Sequence, residues 1–195
     1  MAELTPMMQQ YLQIKEQNQD AILFFRLGDF YEMFGADART ASRELDLTLT
    51  SRDKDKNKTA EERVPMCGVP YHAADAYIAR LIAKGYKVAI CEQTEDPALA
   101  KGLVDRDIIR VVTPGTVISS SMLEDSKNNY LCAVYADSAR YGLCLCDLST
   151  GEVYATAFPA GGENLDHLKN ELARFHPAEA LLSAGAWEGD GLRDF

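Results

Sequence analysis

Phe30 and Glu32 stand two residues apart in the octet 28–35 (GDFYEMFG), which holds three aromatics and two carboxylates. An exposed ring beside an exposed carboxylate can wedge between stacked bases while the carboxylate reads a polar group next to it. The same residues also fit a plain structural role. Asp29 is a good helix N-cap, and Glu32 falls three positions later, at the spacing of a capping box. In that role Glu32 only satisfies backbone donors and complements the helix dipole, and Phe30 is core.

The second pair with chemical potential is Asp137 and Glu171. Asp137 ends the first strand of an expected meander, and Glu171 lies on the helix that follows. Metal-dependent nucleases of the ribonuclease H type place carboxylates in this way, and two metals held there drive phosphodiester hydrolysis. No third carboxylate completes the set, and Asp137 also reads as a turn residue. Phosphate loops (G-x-x-x-x-G-K-S/T, G-x-G-x-x-G), the nucleophile elbow G-x-S-x-G and the zinc motif H-E-x-x-H do not occur. His72, His167 and His176 are scattered, away from cysteines or carboxylates at ligand spacing, which argues against a metal site.

The elements that must position Phe30 and Glu32 come next. Ala21–Leu27 (AILFFRL) is a short, nearly continuous apolar run and reads as a buried strand that Gly28-Asp29 breaks. A helix is expected from Phe30 to about Asp46, with Tyr31, Phe34, Ala38, Ala41 and Leu45 as its apolar stripe. At about 100° per residue that stripe spans roughly 80°, which leaves Phe30 at its edge and Glu32 roughly opposite. Tyr31 and Phe34 are then core, while Phe30 and Glu32 point outward.

Around this segment, Thr5-Pro6 opens a helix that runs to about Asn18, with Met7, Met8, Tyr11, Leu12 and Ile14 on its apolar face. Residues 47–50 alternate like a strand. Residues 51–63 carry five basic and four acidic residues and read as a solvated loop. Residues 64–70 (VPMCGVP) form a rigid apolar segment. Ala73–Lys84 is an amphipathic helix ended by Gly85, and Lys87–Cys91 and Asp107–Val112 are strands. Beyond residue 128 the character changes. Tyr130–Ala136, Tyr141–Leu148 and Glu152–Phe158 form an antiparallel meander, Asn164–Phe175 a helix and Glu179–Ser183 a fourth strand, with no clear element from 184 to 195. Three strands, a helix and a strand leave this second layer unfinished, so the chain is expected to stop inside its second domain.

The formal net charge of −10 is unevenly spread: residues 1–115 hold 15 Lys/Arg against 18 Asp/Glu, and the acidity concentrates later. A strongly basic nucleic-acid footprint is absent, but a local basic patch in the first part is not excluded. The five cysteines include no C-x-x-C and sit mostly in apolar runs, which fits a reducing, cytoplasmic setting. No signal peptide or membrane-spanning stretch is evident.

With these residues in place, the chain resembles the N-terminal part of the bacterial MutS family of DNA mismatch-repair proteins. The matching stretches are 5–11 (TPMMQQY), 25–34 (FRLGDFYEMF), Pro65-Met66, 68–73 (GVPYHA), 88–93 (VAICEQ) and 110–116 (RVVTPGT), in the family's order. The resemblance implies an α/β (α+β) architecture: a mismatch-recognition domain over 1–115, a mixed sheet surrounded by helices, then a linker at 116–127. Residues 128–195 would be the start of a ribonuclease H-like connector. It implies that Phe30 stacks on a mispaired base from the minor groove, that Glu32 hydrogen-bonds a base, and that Arg52 and Met66 lie near the DNA. The implied ligand is double-stranded DNA with mismatches or small loops, and the implied partner of the connector is MutL. The family's ATPase domain, with its ATP and Mg, has no counterpart here. The fragment is therefore expected to be a non-enzymatic, cofactor-free, monomeric binding piece. One departure is the longer, charged 51–63 segment.

Overall fold

The computed structural model describes residues 4–52, 59, 63–95, 102–123, 126–189 and 192. Most of the charged 51–63 segment lies outside them. The chain divides into two compact units, Met1–Thr113 and Pro114–Phe195.

The first unit is built on a six-stranded sheet. Its strands are β1 (Ala21–Leu27), β2 (Phe30–Phe34), β3 (Thr50–Ser51), β4 (Pro65–Pro70), β5 (Lys87–Gln93) and β6 (Arg106–Val112), in the spatial order β3-β4-β2-β1-β5-β6. β1 is central and parallel to β5, and the other pairings are antiparallel. Helix α1 (Pro6–Glu16) packs on one face and α2 (Gly35–Leu45) and α3 (Ala74–Ile82) serve the other. A strand covered on both faces must be apolar at nearly every position, which is why β1 reads as an unbroken run.

Side-chain alternation sorts the core. Ala21, Leu23 and Phe25 of β1 join Phe34, Ala89 and Cys91 beneath Tyr11 of α1. The alternate set, with Ile22, Phe24, Met33 and Val69, is buried with Ala38, Ala41, Ile78 and Leu81 of the two other helices. Helix α1 begins as expected, with Pro6 in the first turn and the Thr5 hydroxyl accepting from Met8 N–H at 3.4 Å. Leu12, expected on its apolar face, is exposed instead.

The main difference from expectation is at residues 30–34, which form a strand and not a helix. Leu27 pairs with Phe30 across Gly28-Asp29, so the expected break is a two-residue hairpin turn. Gly28 has φ +58°, a left-handed conformation that such tight turns demand and that a side chain resists. The helix starts only after Phe34, at Gly35, whose φ is +61°. Asp29 is therefore no N-cap, and Glu32 has no first-turn donors to satisfy. Two further differences share one cause, namely a partner strand invisible to local pattern. Residues 64–70 form β4, which pairs along the whole of β2. Of the strand expected at 47–50, only Thr50 is strand, in the two-residue β3.

The second unit is a four-stranded sheet of order β10-β7-β8-β9, made of β7 (Tyr130–Ala136), β8 (Arg140–Asp147), β9 (Glu152–Pro159) and β10 (Glu179–Leu182). The first three form the expected antiparallel meander, and β10 returns parallel to β7 after α4 (Gly162–Phe175). Leu168 and Leu172 of α4 cover Cys132, Val134, Leu143 and Leu145. Asp147 is 1% exposed and accepts from Asn129 N–H, Ser149 N–H, the Ser149 hydroxyl and Thr150 N–H, which closes the β8–β9 turn. Burial pushes its carboxyl up, but those donors hold it below the usual range. The tail contains one unexpected element, α5 (Ala184–Glu188), started by the Ser183 hydroxyl accepting from Ala186 N–H at 3.2 Å.

Candidate nucleic-acid interface

Strand alternation places Phe30 and Glu32 on the same face of β2, two residues apart, with Tyr31 and Met33 on the other. Phe30 is 47% exposed although it is the first residue of an interior strand, because it adjoins the hairpin turn. Tyr31 is 7% exposed, against Phe24 at a ring distance of 5.9 Å. The outward Phe30 and inward Tyr31 of the sequence reading hold, but for a strand's reason and not a helix's.

Glu32 departs from expectation. It is not outward but largely enclosed, its side chain 16% exposed. It pairs in register with Phe25 of β1 on one side and Gly68 of β4 on the other. A Cβ at residue 68 would lie 3.1 Å from the Tyr31 carbonyl and 3.4 Å from Glu32 Cγ, so glycine there leaves the floor on which the carboxylate side chain rests. Arg52 Nη1 is 3.4 Å from Glu32 Oε2, an ion pair whose arginine is half exposed. Among the described residues the same oxygen accepts no hydrogen bond. Burial raises the Glu32 carboxyl above its ordinary value, and Arg52 pulls part of that rise back. A carboxyl in this condition can accept from a base N–H, or donate once protonated.

The structure thus brings Arg52 to Glu32 but keeps Met66 away from Phe30. Met66 pairs with Phe34, four residues along β2 from Phe30, or about 13 Å at strand rise. It packs, half-buried, on the Tyr11 core. Residues missed by sequence reasoning stand behind the hairpin: Arg26, Glu92 and Tyr71. The Tyr31 hydroxyl donates to Glu92, and burial together with that carboxylate pushes the phenol up to about 12. Glu92 is 61 residues from Tyr31. Its only signal is a carboxylate ending an otherwise apolar strand.

Asp137 and Glu171 do not form a site. Asp137 accepts from Ala139 N–H and Arg140 N–H, both at 2.8 Å, and from the Tyr135 hydroxyl. These bonds, first the one from Ala139, hold its carboxyl below the usual range. It lines a hollow with Ser138 and Leu165, whereas Glu171 lines a different one with His167 and Thr156 and pairs with Arg174 at 3.0 Å. The carboxylates expected to share a metal are separate, each used locally. Among the described residues, no group of three or more His, Cys, Asp or Glu could hold a metal ion. None of their helices is long and apolar enough to cross a membrane.

An aromatic ring and a shielded carboxylate thus stand side by side on one sheet face at the mouth of a hairpin. The chain belongs to the MutS family: the model for MutS domain I matches residues 5–121, and that for MutS domain II matches residues 129–191. It is 58% identical to the DNA mismatch repair protein MutS of Acetivibrio thermocellus over 193 residues, covering 99% of this chain and 22% of the relative. It is 60% identical to the protein of that name from Ruminiclostridium cellulolyticum over 183 residues, 94% of this chain and 20% of the relative. The Syntrophomonas wolfei protein, named likewise, is 54% identical over 198 residues, 99% and 22%. The chain spans about a fifth of the length of these relatives.

Proposed function

We propose that the first unit reads mispaired or looped sites in double-stranded DNA, with Phe30 as the stacking ring and Glu32 as the polar reader beside it. The observation that carries this reading is the half-exposed Phe30 on the same strand face as the shielded Glu32. Phe30 enters the minor groove and unstacks one base step, at a cost of about a few kcal/mol. That cost is least where pairing is already damaged. The selection is therefore by deformability more than by a base code. Glu32 adds discrimination. An intact pair offers its carboxylate no free proton, so its charge resists a sound duplex, while an unpaired base N–H satisfies the oxygen that accepts no hydrogen bond from the described residues. Arg52, half exposed beside it, turns toward a phosphate in this reading.

In this reading the second unit is the connector that relays to MutL. The chain acts in the cytoplasm, as a monomer and without cofactor or chemical step. With a net charge of −10, its own affinity for DNA is weak and steeply salt-dependent. The test therefore uses a chimera in which this chain replaces the matching segment of the Acetivibrio thermocellus relative. Binding of mispaired and fully paired duplexes is compared for Phe30→Ala and its parent. Loss of the preference for the mispair with the fold retained supports the reading; an unchanged preference refutes it.

A further inference from the structure

A ring can force a base step apart only if the turn behind it does not yield. The Gly28-Asp29 turn is tied down at both of its carbonyls. Arg26 Nε–H donates to the Gly28 carbonyl at 2.6 Å, and Tyr71 N–H donates to the Asp29 carbonyl at 2.9 Å. The Arg26 guanidinium lies 3.7 Å from the centroid of the Tyr71 ring and 5.6 Å from that of Tyr31. Its Nη1 is 3.1 Å from Glu92 Oε1, the oxygen that also accepts from the Tyr31 hydroxyl. Arg26 and Tyr31 are directly opposed in the β1–β2 register, and Glu92 follows one step beyond the Phe25–Cys91 pair of β1 and β5. Four segments thus meet on one guanidinium, on the sheet face opposite Phe30 and Glu32. The ion pair is well shielded, its side chains 17% and 24% exposed.

We propose that Arg26, backed by Glu92 and Tyr71, is a positioning residue for mismatch discrimination. It stiffens the hairpin turn so that Phe30 presses on the base stack instead of bending away. The inference rests on the reading of Phe30 as the stacking ring. Arg26 touches no DNA in it and acts through the turn. Lysine cannot substitute, because only a planar fork can hold a turn carbonyl, a carboxylate and an aromatic face together. Loss of the clamp falls on the mispaired complex, the one in which the ring is inserted.

The test measures mispaired and paired duplex binding in the same chimera for Arg26→Lys, Phe30→Ala and the double variant. Amide exchange at Asp29 and Phe30 is followed in the 195-residue chain itself. Arg26→Lys is expected to lower the preference for the mispair about tenfold, the worth of a hydrogen bond to a charged group. It is also expected to speed exchange at the turn and to add nothing to Phe30→Ala. Equal weakening of both duplexes, an unchanged preference, or a further loss in the Phe30→Ala background overturns the proposal. A preference that survives Phe30→Ala defeats the underlying reading of the ring, and the clamp with it. If Arg26→Lys fails to fold, Glu92→Gln and Tyr71→Leu replace it, with a smaller loss expected in the same direction and the same outcomes overturning it.

Discussion

Truncating Phe30 and Tyr31 separately tests whether the hairpin presents one ring and buries the next. Tyr31 is 7% exposed, packs on Phe24 and donates its hydroxyl to Glu92. Cutting it to alanine opens a cavity and strips Glu92 of a donor, a loss of about 3–5 kcal/mol. Phe30 is 47% exposed. Roughly half of the 1.5–3 kcal/mol for burying a phenylalanine is at stake there, so Phe30→Ala costs about 1 kcal/mol. For a unit of roughly a hundred residues each kcal/mol moves the melting midpoint by about 4–8 °C. Tyr31→Ala should therefore melt at least 10 °C or so below the parent, and Phe30→Ala within about 8 °C of it. Urea titration followed by far-UV circular dichroism reads both, provided the slope m stays constant between variants. The reverse ranking, or equal losses, would refute the strand assignment of residues 30–34 and the interface built on it.

Three other outcomes follow from local geometry. Gly28→Ala forces a side chain onto a φ of +58° and should lower stability by about 1–2 kcal/mol, seen as an earlier urea midpoint, although nothing lies within 4 Å of the added carbon. Asp37→Ala removes the acceptor of Leu23 N–H at 2.9 Å and the partner of Lys15 at 3.0 Å, and should cost about 3–5 kcal/mol by the same titration. Glu32→Gln should show a stability advantage over the parent that widens with pH. The folded carboxyl is raised above its ordinary value of 4.5, so the folded state holds its proton to higher pH than the unfolded chain does. Ionisation then penalises the parent fold, and stability is lost as pH rises through that window while glutamine is indifferent. Melting curves at pH 4 and pH 7 check this, and an advantage that shrinks with pH would mean that Arg52 outweighs burial.

Much of this molecule is legible in the chain. The run AILFFRL reads as a strand buried on both sides, from its length and aromatics, and Thr5-Pro6 reads as a helix start. The meander and α4 of the second unit follow from alternation and helical spacing, because each of these elements is long enough to show its period. Residues 30–34 are not. Tyr31, Phe34 and Ala38 fit a helical stripe, while Tyr31 and Met33 alternate with Phe30 and Glu32 as in a strand, and five residues cannot separate the two periods. The exposure of these two rings does not depend on that ambiguity: both periods turn Tyr31 inward and leave Phe30 at the surface.

What the sequence by itself determined is which residues must leave water and where the chain must turn. The tertiary structure decided how the opening octet folds. β1 and β4 flank β2 on both sides and supply strand hydrogen bonds that a helix there would forgo, and Gly35, at φ +61°, separates strand from helix. It also decided the environment of Glu32. Gly68 and Arg52 reach that carboxylate from distant parts of the chain, as Arg26, Glu92 and Tyr71 converge behind the turn. Such convergence depends on strand register, which local spacing does not encode.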